Sequence, residues 1–349
     1  MAIQKTTIND FLQLAKQHPI FDVRSPGEYH HAHIPGATAL PLFTDEERKQ
    51  VGTAYKQQSR EQAIKIGLDF FGLKMRAMVE QVEKHFTGVA AGEERTVLVH
   101  CWRGGMRSAG VAWLLDLYGF KVFTLAGGYK AYRKWVLRQF ENAYPFHIIG
   151  GYTGSGKTHV IHGLAEKGHT IIDLEKLANH KGSAFGAIGE QPKQEMFENL
   201  LATELSAKKE ALVIYLEDES QRIGDLQIPM PLWYTIRKQP VYFLDVPFEE
   251  RLSLLVKEYG SMEREKLVNN IIRIKKRLGG LEAKTAIGCL LEEDISGCFR
   301  VLLTYYDKYY GKALQNRENW DQLLNKIPCS GVDTATNIQN LLACTTQNA

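Results

Sequence analysis

Along the chain, short apolar runs alternate with longer amphipathic stretches, the pattern of strands interleaved with helices. In the first half, Phe21-Asp22-Val23 reads as a short strand, and Arg24-Ser25-Pro26-Gly27-Glu28-Tyr29 as a turn entering a helix. His33-Ile34-Pro35-Gly36-Ala37 interrupts the chain, and residues 45–86 are charged and helix-rich, with Ala63, Ile64, Leu68, Phe71 and Leu73 as a partial apolar face. Residues 96–99 predict a buried strand. Behind it, Val111, Leu114, Leu115 and Tyr118 recur at helical spacing and predict an amphipathic helix over 109–118. Residues 122–125 predict another strand, ended by Gly127-Gly128, and 129–140 a helix that leads to a boundary at Asn142-Ala143-Tyr144-Pro145.

The second half repeats the alternation. Residues 146–149, 170–172, 213–216 and 241–244 predict strands, and from residue 247 onward the pattern is helical with no further strand expected. Strands that alternate with helices imply parallel sheets with ligands at the carboxyl ends of the strands. At 349 residues the chain is long enough for two domains. They are placed at 1–140, with a helical insert at about 45–90, and at 141–349, with a helical C-terminal region.

Composition changes this picture little. Charged residues at 24% and hydrophobic ones at 44% describe a folded chain rather than a disordered one. A net charge of +3 neither demands nor excludes a nucleic-acid partner, so local clusters matter more. Two stand out: Lys130, Arg133, Lys134 and Arg138, then Arg273, Lys275, Lys276 and Arg277. Each reads either as a phosphate-binding surface or as a solvated helix face. No apolar run approaches the roughly 18 residues of a membrane span, and residues 1–16 lack a signal-peptide layout, so a cytoplasmic protein is expected. The five cysteines, at 101, 289, 298, 329 and 344, form no Cys-x-x-Cys pair, which argues against zinc and a disulfide framework.

Of these only Cys101 has reactive neighbours. It lies in His100-Cys101-Trp102-Arg103-Gly104-Gly105-Met106-Arg107-Ser108, between a predicted strand and a predicted helix. A thiolate needs its negative charge stabilised, and such a loop can aim backbone N–H groups and a helix N-terminus at it. Arg103 and Arg107 add guanidinium forks for a tetrahedral oxyanion. The second anion cradle is Gly151-Tyr152-Thr153-Gly154-Ser155-Gly156-Lys157-Thr158, a complete Walker A match between a strand and a helix. Its backbone N–H groups cradle a diphosphate, Lys157 neutralises the terminal phosphate, and Thr158 can ligate a metal ion. Leu216-Glu217-Asp218-Glu219-Ser220 ends a strand with carboxylates, as a Walker B segment does, and makes Asp218 and Glu219 the candidates for a metal role. A P-loop specifies diphosphate, not a nucleotide.

Asp22 to Tyr29, His33 to Ala37, the cysteine loop and Leu125-Ala126-Gly127-Gly128-Tyr129 occur in the order of the rhodanese family, and the N-terminal half resembles it over about residues 5–138. Rhodaneses carry sulfur or selenium as a persulfide on the loop cysteine. Here Cys101 and Arg107 are separated by five residues, one more than usual in the sulfur-transferring members. His-Cys-x5-Arg-Ser is also the signature of related dual-specificity phosphatases, so the loop fits both chalcogen transfer and phosphate-ester hydrolysis.

End to end, the chain resembles the bacterial tRNA 2-selenouridine synthase family, a rhodanese domain fused to a P-loop domain. Both loops carry the resemblance, together with Asp173-Leu174-Glu175, Asn179-His180-Lys181-Gly182-Ser183-Ala184-Phe185-Gly186 and Glu217-Asp218-Glu219-Ser220-Gln221-Arg222-Ile223-Gly224, and it extends to about residue 330. The resemblance implies an enzyme, a selenotransferase and geranyltransferase, whose substrate is tRNA carrying 2-thiouridine at the wobble position. Its implied co-substrates are geranyl diphosphate at the P-loop and selenophosphate, brought by a supplier enzyme, at the cysteine loop. Cys101 is implied as selenium carrier or nucleophile, and the two basic clusters as tRNA-binding residues. No tightly bound cofactor is expected, with Mg2+ as a candidate ion. The rival readings are a sulfurtransferase fused to an ATP-dependent kinase, a cysteine phosphatase, and a tRNA-binding scaffold without catalysis.

Overall fold

Apolar runs flanked by amphipathic helices bury on both faces, so each half of the chain closes around a parallel sheet. The computed structural model describes residues 3–88, 94–181 and 189–347. The chain divides into two compact units, one of residues 1–139 with 198–203, the other of residues 140–197 with 204–349.

In the first unit, β1 (Gln4–Thr6), β2 (Ile20–Asp22), β3 (Thr38–Ala39), β4 (Thr96–His100) and β5 (Lys121–Leu125) pair in the order β1-β5-β4-β2-β3, all neighbours parallel. The central strand, β4, is buried throughout and delivers Cys101 at its carboxyl end. The helix behind it, Met106–Leu117, buries Val111, Leu114 and Leu115, whereas Tyr118 lies outside it, exposed, with its hydroxyl donating to Glu83.

The insert folds as two helices, Asp45–Gln57 and Arg60–Glu83. Thr44 and Glu47 cap the first reciprocally, a local signal that fixes its start. The second turns Ala63, Phe71, Met78 and Val82 inward, a stripe that leaves Leu68 and Leu73 exposed, so these two are not part of its core face. Residues 89 and 90, at the end of the expected insert, lie outside the described residues.

In the second unit, β6 (Phe146–Gly151), β7 (Ile171–Ile172), β8 (Ile214–Glu217), a short antiparallel pair β9 (Arg222–Ile223) and β10 (Leu226–Gln227), β11 (Val241–Asp245) and β12 (Leu324–Pro328) follow in sequence. The main sheet runs β12-β11-β6-β8-β7, again all parallel, with the P-loop leaving its central strand. β12 corrects the expectation of an all-helical C-terminal region. Its sequence, Leu-Asn-Lys-Ile-Pro, is half polar because it forms a sheet edge, where a terminal proline is also tolerated. Between β11 and β12, helices Phe248–Tyr259, Arg264–Leu278, Gly280–Leu291 and Ile295–Gln315 pack around Leu252, Leu255, Ile271, Phe299, Leu302 and Leu303. Among the described residues no helix is long and apolar enough to cross a membrane.

Candidate active site

Cys101 is buried at the end of β4, with its Sγ 3.2 Å from the Ser108 hydroxyl and 3.3 Å from the Gly105 N–H that donates to it. Burial is the largest influence on the thiol and opposes ionisation. Hydrogen bonds from the Ser108 hydroxyl and from the N–H groups of Ser108, Gly105 and Arg103 outweigh it, holding the thiol below its ordinary pKa. Cys298 and Cys329, buried without such a loop, are pushed up to about 12 and about 11. The loop keeps its shape against the turn after β5, where the Tyr129 and Lys130 N–H groups donate to the Cys101 and Trp102 carbonyls at 2.8 and 3.0 Å. Gly128, at φ +59°, makes this approach possible: a Cβ there would lie 2.3 Å from the Cys101 carbonyl oxygen.

Ion pairs involve residues of the loop or of the motif Asp22 to Tyr29. Buried Arg24 holds Asp22 through Nε and Nη2 at 2.9 and 2.6 Å and lies over the Tyr129 ring at 3.8 Å. His100, fully buried, stands 3.7 Å from Asp22, and burial keeps its pKa down and the ring neutral. Arg107 does not stand ready for an anion alone: its Nη1 donates to Glu28 at 2.8 Å. Burial of Glu28 works against its charge, but Arg107, the Ser25 N–H and Arg48 hold its carboxyl below the usual range.

In the P-loop, the Lys157 ammonium donates to the Gly151 carbonyl at 3.0 Å and lies 3.9 Å from Glu217, and the Thr158 hydroxyl donates to Glu217 at 3.2 Å. Carboxylate oxygens of Glu175, Glu217 and Glu219 lie within 4.8 Å of one another. Burial first, then the neighbouring carboxylates, push Glu217 up to about 7 and Glu219 well above the usual range, with Lys157 opposing. An all-oxygen set with a hydroxyl beside it fits a hard divalent ion such as Mg2+, which would hold these carboxyls ionised.

The comparisons with known proteins agree in both halves. Residues 144–326 match the family described as the tRNA 2-selenouridine synthase AAA domain, and residues 7–134 the rhodanese-like domain. A tRNA 2-selenouridine synthase of Pseudomonas fluorescens is 34% identical over 325 residues, covering 85% of this chain and 84% of its own length. That of Bdellovibrio bacteriovorus is 34% identical over 349 residues, 86% of this chain and 89% of its own, and that of a Sulfurovum species 36% identical over 299 residues, 79% of each. The chain belongs to the tRNA 2-selenouridine synthase family.

Within this synthase-family chain, the Walker B assignment needs correction at Asp218. Its carboxylate accepts from buried Arg317 and from the Tyr310 hydroxyl, both at 2.7 Å, and that hydroxyl accepts from the Gly151 N–H at 3.4 Å. Asp218 thus braces the P-loop from behind, and Glu217 takes its place beside Glu219. Alternation along an extended chain separates residue 218 from 217 and 219, a signal present in the sequence. Arg133 is a second correction. Half-buried, it pairs with Glu198 and donates to Asn199 at 2.5 Å, so it holds the fold of its own unit. Lys130, Lys134 and Arg138 are exposed, as are Arg273, Lys275, Lys276 and Arg277 on the helix Arg264–Leu278. On the cysteine loop Trp102, Arg103, Gly105 and Met106 are exposed and Gly104 half-buried. Of the other P-loop residues, Gly151 and Ser155 are buried, and Tyr152, Thr153, Gly154 and Gly156 half-buried. The motif residues Gly182, Ser183, Ala184, Phe185 and Gly186 lie outside the described residues. Glu28 and Glu175 enter the sequence reading only as motif members without a role, and Tyr310 and Arg317 not at all, because each meets its partner across tens of residues.

Proposed function

We propose that this chain converts wobble 2-thiouridine in tRNA to 2-selenouridine through an S-geranyl intermediate; its relatives' names describe 2-selenouridine synthesis in tRNA. The observation that carries the reading is the pair of anion cradles, one with an activated thiol and one with a lysine, which suits a reaction with two anionic co-substrates. Sulfide leaves a pyrimidine poorly, so alkylation comes first. The thiocarbonyl sulfur attacks C1 of geranyl diphosphate, the C1–O bond breaks with its electron pair to the diphosphate, and N3 of the uracil loses its proton. The P-loop N–H groups and Lys157 stabilise the departing diphosphate.

Selenium of selenophosphate then adds at C2 and expels geranyl thiol, leaving a Se–P bond. The Cys101 thiolate attacks phosphorus, releasing 2-selenouridine, and water cleaves the S–P bond to give phosphate and the free thiol. A Cys-x5-Arg loop whose N–H groups face the sulfur suits attack at phosphorus. Exposed lysines and arginines of the two clusters bind the tRNA backbone, and the reaction takes place in the cytoplasm with selenophosphate from a supplier enzyme.

Transfer of radiolabelled geranyl from its diphosphate to 2-thiouridine tRNA tests the reading. Lys157→Ala is expected to abolish transfer while still converting tRNA that already carries S-geranyl-2-thiouridine. Undiminished transfer by that variant would remove the P-loop from the reaction, and tRNA-dependent ATP hydrolysis by the native chain would favour the kinase reading.

A further inference from the structure

We infer that the apolar cleft beside the P-loop, between helices Phe248–Tyr259 and Ile295–Gln315, is the binding site for the hydrocarbon tail of an allylic isoprenoid diphosphate. The inference rests on the proposed function, which puts the diphosphate of such a donor in the P-loop. Its tail is bonded to that diphosphate and must leave the cradle within a bond length or two. Thr153 of the P-loop forms one edge of the cleft. The next residue, Gly154, packs so closely on the helix Phe248–Tyr259 that a Cβ would lie 2.8 Å from the Arg251 carbonyl oxygen and 3.1 Å from Leu255 Cγ. Leu255 is itself part of the cleft wall, so cradle and cleft share one partition.

That partition is held rigidly. The Arg251 guanidinium, buried, donates to both oxygens of Asp307 at 2.8 and 2.7 Å and to the Thr153 carbonyl at 3.1 Å, tying both helices to the loop. The floor consists of Leu255, Phe299, Leu302 and Leu303, all buried. Tyr259 and Tyr306, half-buried, complete the lining. The four floor side chains are hydrocarbon, and an isoprenoid tail brings them only hydrocarbon in return. The cavity measures about 30 Å3, room for about two water molecules. Seating a geranyl chain therefore requires the helices or the two tyrosines to move aside.

Steady-state geranyl transfer to 2-thiouridine tRNA, with inorganic pyrophosphate and ATP as competitors, tests this on the full chain. Each methylene removed from water contributes about a factor of four in affinity, so filling the floor with Leu302→Trp should raise the KM for geranyl diphosphate at least about tenfold. The inhibition constant of pyrophosphate, which touches only the cradle, should stay the same. Should overpacking unfold that variant, Phe299→Ala provides the opposite perturbation and should shift preference from geranyl toward farnesyl diphosphate. An unchanged geranyl KM in folded Leu302→Trp, an unchanged geranyl-to-farnesyl ratio in Phe299→Ala, or loss of ATP competition in place of geranyl affinity would each overturn the assignment of the cleft. If the native chain transfers no isoprenoid at all, the proposed function fails and takes this inference with it; a native chain that transfers geranyl while the variants behave like it refutes the cleft alone.

Discussion

Replacing Ser108 with alanine should raise the pKa of Cys101 by an amount the geometry sets. The Ser108 hydroxyl, 3.2 Å from Sγ, is the largest of the influences that favour the thiolate, and it acts against a burial effect that favours the thiol. A hydrogen bond to a charged group contributes about 1.5–3 kcal/mol, enough to move the ionisation of the thiol measurably. The sign follows directly: the native thiol ionises below the ordinary range, and removing a donor to the thiolate moves the midpoint upward, leaving less nucleophile at neutral pH. The N–H groups of Gly105, Arg103 and residue 108 itself remain, so the midpoint should stay below that of Cys298, which burial pushes up to about 12. Carbamidomethylation of Cys101 as a function of pH, followed by peptide mass spectrometry, reads the midpoint, with Cys298 and Cys329 as unreactive references. An unchanged midpoint in a folded Ser108→Ala variant would refute the account of how the loop activates its sulfur.

Asp218→Ala should destabilise the P-loop unit by about 3–5 kcal/mol, because it strands the charge of buried Arg317, and the loss should appear as a lower urea midpoint for that unit. A destabilisation below about 1 kcal/mol, the scale of a surface pair, would show that the Arg317 charge is compensated elsewhere. Neutralising Lys134 and Arg138 should flatten the salt dependence of tRNA binding by about 0.7–0.9 in log–log slope for each phosphate no longer neutralised, and the set Arg273, Lys275 and Lys276 tests the second cluster in the same way. Arg133→Ala, by contrast, should lower thermal stability by removing its pairing with Glu198 and Asn199; an unchanged melting temperature would return it to the tRNA surface.

The central strands and both anion loops were legible because their signals are local. An apolar run, a glycine-rich turn and an amphipathic helix within about twenty residues specify β4 with Cys101 and β6 with Lys157. What escaped the sequence depends on pairing at a distance. Glu28 meets Arg107 across 79 residues, and Asp218 meets Arg317 across 99, so neither partnership leaves a spacing to read. β12 was missed for a different reason: an edge strand buries little, and its alternation of Leu, Asn, Lys and Ile is too short and too polar to stand apart from the helices before it. Leu68 and Leu73 show the converse error, apolar residues that face solvent because the buried stripe of their helix passes through Ala63 and Phe71.

The most direct test of the two-cradle account is nucleoside mass spectrometry of 2-thiouridine tRNA incubated with geranyl diphosphate and selenophosphate. The native chain should yield 2-selenouridine. Cys101→Ser should leave geranylation intact and block release of the selenium product, so that the Se-phosphorylated species accumulates, while Lys157→Ala should return unchanged 2-thiouridine. Formation of 2-selenouridine by Cys101→Ser at the native rate would contradict the account.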